Sequence, residues 1–290
     1  MRRPVLLFTV AAFALMSAGL SGCGKKAEHG EEHAAEGDGH GEAHGDAGHG
    51  GGDHGGGHGA GGDVTQWSYE GDNGPGHWGD LGTENKLCKS GKRQSPVNLN
   101  GVAAPKTVNL TLDYTSSAAK VQNLGYIIQV SPTDGGAIVM DKTRYALQTI
   151  QFRTPSEHTI DGHRAAMETQ FVHKSEAGQT LIVSVLSDVG VADPMLAPIW
   201  TWLPTDPGPA ALIPDLLVNA RDLMPATEEF YAYAGSITTP PCSESVTWLV
   251  YASPLSVSPE QVDAYQRLTG PNARPIQQPQ DRDILHIVGG

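Results

Sequence analysis

The chain has 290 residues, with 32 acidic against 19 basic side chains and a formal net charge of −13. That balance, with no basic stripe along the chain, excludes nucleic acid as a partner class. The stretch from Asp63 onward is long enough for one sizeable domain with its own core.

Residues 1–22 read as an export signal. Arg2 and Arg3 precede the apolar run VLLFTVAAFALMSAGL. The run is shorter than the ~20 apolar residues that a transmembrane helix needs, and it has the layout of a secretory signal. Its ending, Leu20-Ser21-Gly22-Cys23, resembles a bacterial lipobox, in which the cysteine is acylated and becomes the mature N-terminus. Gly24, rather than Asp, resembles lipoproteins of the Gram-negative outer membrane. The expectation is an exported chain, lipid-anchored through Cys23 at the periplasmic face, with a membrane as its partner. With Cys23 taken, Cys88 and Cys242 remain as a pair, and an oxidising compartment makes a disulfide between them chemically reasonable.

Residues 23–62 change character. Gly, His and acidic residues dominate and no large apolar residue occurs, so the segment cannot bury enough surface to offset its ordering entropy and is expected to be a disordered tether. It holds seven of the twelve histidines: His29, His33, His40, His44, His49, His54 and His58. Imidazole is a good ligand for zinc, nickel and copper. The tether is therefore also a candidate weak metal site, and metal buffering is one reading of the chain.

From 63 to 290 the pattern is mainly β. VNLTLDY, GYIIQV, ALQTIQF, METQFVHK, TLIVSVLSDVG and ESVTWLVYAS are β-branched or aromatic runs bounded by turn signals. PEQVDAYQRLTG predicts a helix from Pro259 to Gly270, and IPDLLVNARDLMP is a second, short helix candidate. In QTIQFRTPSEH, Gln148 to His158, residues two apart share a strand face. Ile150 and Phe152 are thus assigned to the core, while Thr149, Gln151 and Arg153 share the other side.

Six segments then appear in order: WSYEGDNGPGHWG, QSPVNL, TPSEH, ETQFVHK, GSITTPPCSESVTWLVY and NARPIQ. Together they resemble the α-class carbonic anhydrases across essentially all of 63–290. The resemblance implies a large twisted, mostly antiparallel sheet with short peripheral helices and a conical cavity. It also implies a Cys88–Cys242 disulfide, as in secreted members. Zinc in that family is held by three histidines with hydroxide in an open fourth position. The matching residues here are Gln151, Arg153 and Gln170. An amide oxygen is a poor zinc ligand, and a guanidinium has no lone pair to offer. His77, His158 and His173 match non-ligand histidines, His163 falls in a turn and His286 lies near the C-terminus.

The family's proton-relay positions match Leu124 and Tyr126, and a tyrosine with pKa near ~10 is a poor relay at neutral pH. Other cavity positions are retained. Thr238 matches the residue that orients the zinc-bound hydroxide, Glu157 matches its acidic partner and Tyr69 a cavity tyrosine. Val172, Ile237, Val246 and Trp248 match the apolar wall, and Glu168 matches the acid behind the third ligand. The resulting expectation is a catalytically inactive, zinc-free binding or structural module that resembles the acatalytic carbonic-anhydrase-related proteins. Its cavity would be open to a small anion or a protein partner. An active carbonic anhydrase that holds zinc and interconverts CO2 and bicarbonate is the alternative. Because a buried charge needs a partner, Arg153 is expected to pair with Glu168, with Glu157 as the second candidate.

Overall fold

A computed structural model describes residues 67–103 and 108–288. The signal, Cys23 and the histidine-bearing tether lie outside the described residues. Among the described residues a 13-stranded sheet dominates. Its main strands are β1 (Ser117–Asn123), β2 (Ile128–Pro132), β3 (Thr143–Arg153), β4 (Met167–Ser175), β5 (Thr180–Val189), β6 (Ala211–Val218), β7 (Glu229–Ser236), β8 (Glu244–Tyr251) and β9 (Leu285–Val288). They run in the order β6-β1-β2-β3-β4-β5-β8-β7-β9. Every neighbouring pair in that row is antiparallel except β5 and β8. The expected mainly antiparallel sheet is what forms. None of the described helices is long and apolar enough to cross a membrane.

Alternation along the strands divides the sheet into two faces. On one face Ile150 and Phe152 of β3, Phe171 of β4, Val183 of β5 and Leu249 of β8 join the larger apolar cluster. Two helices cover it. Ala197–Thr201 carries Trp200, whose ring lies 5.0 Å from that of Phe152. Pro259–Thr269 is the helix the sequence predicts. It opens with a capping box between Ser258 and Gln261 and closes on Gly270 at φ 67°, a conformation that glycine adopts without penalty. Its buried Tyr265 gives its hydroxyl to the carbonyl of Phe152 and accepts the N–H of Ile128, which fixes the helix across β2 and β3.

The second helix candidate is a correction. Residues 213–218 form the end of strand β6, and only Ala220–Leu223 turn helically, as a 3-10 helix capped by the Asn219 side chain. Leu216 and Val218 point inward while Leu217 is exposed, the two-residue period of a strand. Pro214 falls where the register with β1 shifts between Ile213 and Leu217, and β6 lies at the end of the sheet, where proline is tolerated.

Candidate functional site

The opposite face of the sheet carries the residues singled out from the sequence. Antiparallel pairing of β3 with β4 sets Arg153 across from Glu168, Gln151 from Gln170 and Thr149 from Val172. Thr149, Gln151 and Arg153 share the non-core face, as their alternation requires. Toward β5 and β8 that face becomes apolar. Val246 and Trp248 are buried there with Ile182, and Val172 and Ile237 pack against them half-buried.

Arg153 is 2% exposed, and neighbours surround its guanidinium. Nη1 donates to the Tyr69 hydroxyl at 2.7 Å and to the carbonyl of Asn272 at 3.4 Å. Nη2 donates to Gln151 Oε1 at 3.5 Å, and Nε to Gln170 Oε1 at 3.4 Å. The ion pair is with Glu157, whose Oε2 lies 3.5 Å from Nε. Burial alone disfavours the charge, but Glu157 and Tyr69 outweigh it and raise the Arg153 pKa above its ordinary value. The Tyr69 hydroxyl is also pushed up, by burial, and stays protonated.

The expected Arg153–Glu168 pair does not form. Although the two residues face each other in register, the Glu168 carboxylate is already saturated. Its Oε2 accepts the N–H groups of Glu157 and His158, both at 2.8 Å. Its Oε1 meets His158 Nδ1 at 2.8 Å, Gln170 Nε2 at 2.9 Å and Ser184 Oγ at 2.7 Å. Burial works against ionisation of this carboxyl, yet His158 and these donors hold its pKa down to about 2. His158 in turn reaches the Tyr233 hydroxyl through Nε2 at 2.7 Å, and Tyr233 reaches Ser95.

Glu157, the second candidate, is thus the ion-pair partner of Arg153, but it departs from its expected duty to Thr238. Its Oε2 accepts Gln170 Nε2 at 2.8 Å, and its Oε1 accepts the backbone N–H of Arg274 at 2.9 Å. Among the described residues no hydrogen bond joins Glu157 to Thr238. Gln170 is the hinge of this arrangement. Its amide nitrogen bridges Glu157 and Glu168, and its oxygen faces Arg153.

Residues that sequence reasoning passed over complete the frame. Asn272, fully buried, accepts the N–H of Thr154 and donates to the carbonyls of Tyr126 and Phe152. Arg274, 1% exposed, donates to Gln94, Ser95 and the carbonyl of Cys88. Both lie in an irregular segment where no periodicity marks burial, and their only signal was the quoted NARPIQ. Cys88 and Cys242 are disulfide-bonded, with Cα atoms 5.0 Å apart, as expected. The bond ties the Leu87–Ser90 helix to the turn that carries Thr238 and Thr239, where the N–H of Cys242 meets the carbonyl of Thr239. Beside Arg153 a pocket of about 310 Å³ is lined by Trp67, Tyr69, Leu124, Tyr126, Thr269 and Pro271 among others. The rings of Trp67 and Tyr126 lie 4.4 Å apart there.

Residues 73–287 match the family described as eukaryotic-type carbonic anhydrase. A carbonic anhydrase of Pectobacterium atrosepticum is 35% identical over 225 residues, covering 77% of this chain and 92% of that protein. The α-carbonic anhydrase of Thermovibrio ammonificans, solved with the inhibitor sulfanilamide, superposes with a TM-score of 0.72 at 36% identity, over 76% of this chain and 98% of that one. A dioscorin solved in complex with ascorbate does so with a TM-score of 0.72 at 30% identity, over 77% and 98%. The chain belongs to the α-class carbonic anhydrase family.

Proposed function

We propose that this chain is a carbonic-anhydrase-like binding or structural module, exported and lipid-anchored through Cys23, in which no zinc is held and CO2 is not hydrated. One observation carries the reading. The three positions matched to zinc ligands bear Gln151, Arg153 and Gln170, and their side chains bond one another around a buried guanidinium. A protonated guanidinium offers a metal no electron pair, and its fixed charge repels a divalent cation. The donor set does not fit zinc. Glu157, matched to the acid that serves Thr238, is turned instead toward Gln170 and Arg153.

Relatives called carbonic anhydrases keep catalysis as the competing reading. The dioscorin complex with ascorbate gives the same fold a small organic ligand in that protein, which supports a binding role here. The test is the zinc content of the chain with all seven tether histidines changed to alanine, measured after dialysis against zinc. The reading predicts far less than one equivalent, and one tightly held equivalent contradicts it. The anchor has its own test. Cys23→Ser should move the protein from the membrane to the soluble fraction, and an unchanged membrane fraction removes that assignment.

A further inference from the structure

Four glutamines stand abreast on four neighbouring strands. Gln122 of β1 is the register partner of Gln129 of β2, Gln129 of Gln151 of β3, and Gln151 of Gln170 of β4. Register partners share a face, and Gln151 and Gln170 both touch Arg153. The whole row therefore lies on the cavity face. Its members differ in how far the fold uses them. Gln170 is committed at both ends, and Gln122 gives its amide to the carbonyl of Gly208 at 3.2 Å. Gln151 has only long bonds, 3.4 Å to Thr149 Oγ1 and 3.5 Å from Arg153 Nη2. Gln129, half-buried, has no hydrogen-bond partner among the described residues, and neither do the hydroxyls of Thr238 and Tyr126.

Polar groups on a cavity face that the fold leaves without protein partners are free to bond a ligand in place of water. An amide presents donors and an acceptor side by side, and each hydroxyl of a sugar is likewise donor and acceptor. An anion is a poorer fit. Arg153 already faces Glu157, and Tyr69 and Asn272 take its Nη1. A second carboxylate, Glu168, lies across from it in register. Tyr69 joins this polar floor to the pocket of about 310 Å³, where Trp67 and Tyr126, packed on each other, supply aromatic lining against which a small ring could rest.

We infer that the glutamine row and the adjoining aromatic pocket bind a neutral polyhydroxylated ligand the size of a single sugar ring. The inference deepens the binding-module reading and rests on it. To test it, the full mature protein is titrated with glucose, N-acetylglucosamine and glucuronate, followed by tryptophan fluorescence and saturation-transfer NMR. At least one neutral sugar should bind saturably, with glucuronate weaker. Gln129→Ala should weaken that binding by up to roughly tenfold, the worth of one or two hydrogen bonds. Its thermal melting should be unchanged, since Gln129 bonds nothing in the fold.

No saturable binding of either neutral sugar, tighter binding of glucuronate, or an unaltered affinity in Gln129→Ala overturns the inference. CO2 hydration measured on the same preparation separates the two claims. Hydration without sugar binding removes both, and neither activity removes this inference alone. Sugar binding together with hydration removes only the zinc-free reading.

Discussion

The two faces of strand β3 are held by different physics. On one, Ile150 and Phe152 are fully buried among apolar neighbours, and Phe152 is edged by Trp200 and Tyr265. On the other, Arg153 is nearly as buried, but each nitrogen of its guanidinium faces an oxygen of a named partner. The core face is stabilised by area and volume, which many side chains supply. The cavity face is stabilised by pairing, which only its present set of partners supplies. A charge removed there leaves its partner's charge buried without an opposite charge beside it.

The largest expected effects set these faces against each other. Phe152→Ala should cost about 3–5 kcal/mol through lost burial and the cavity left behind, read from urea unfolding. Arg153→Met keeps most of the volume yet should cost a similar ~3–5 kcal/mol, because the buried Glu157 loses its ion-pair partner. The two mutations part company when Glu157→Gln is added. The Arg153 variant should recover part of its loss, whereas the Phe152 variant should not. A double-mutant cycle should find coupling of Arg153 to Glu157 and little to Glu168. Stronger coupling to Glu168 would mean that the register pair, not the observed ion pair, governs the site.

A smaller effect comes from the core face of β4. His173 is fully buried, with Nε2 2.9 Å from the Tyr114 hydroxyl and Nδ1 3.3 Å from the carbonyl of Leu181. Burial pushes its pKa down from 6.5 to about 4. The folded state resists a proton that the unfolded chain accepts, so the stabilising contribution is complete above pH 6.5 and is lost as pH falls through about 4. The whole loss is roughly 3 kcal/mol. His173→Gln should flatten stability against pH between those limits. Glu168 acts in a separate window. Its depressed pKa makes its contribution complete above the ordinary carboxyl value and lost as pH falls through about 2. A wild-type slope that survives in His173→Gln between pH 6.5 and 4 would assign that window to another group.

The sequence made one face of this comparison readable and left much of the other hidden. Alternation placed Ile150 and Phe152 inside and Gln151 and Arg153 outside, because strand geometry imposes a two-residue period. The disulfide followed from cysteine counting, and the helix Pro259–Thr269 from its proline start and glycine stop. The partner of Arg153 was not readable in this way. Pairing in register points to Glu168, but Ser184 from β5 and the backbone and ring of His158 claim that carboxylate first. The competition involves a neighbouring strand and a turn, which no local pattern reports. Asn272 and Arg274 escaped for a related reason, since their burial depends on distant partners such as Thr154, Gln94 and Cys88. Residues 213–218 misled because their apolar positions suit a short helix, until pairing with β1 selects the strand.

The central claim is that a guanidinium stands where catalysis in this family needs a metal, and stopped-flow CO2 hydration by the full chain in zinc-containing buffer tests it most directly. The account predicts a rate equal to that of buffer at every protein concentration. A rate that rises in proportion to protein and is suppressed by sulfanilamide would contradict it.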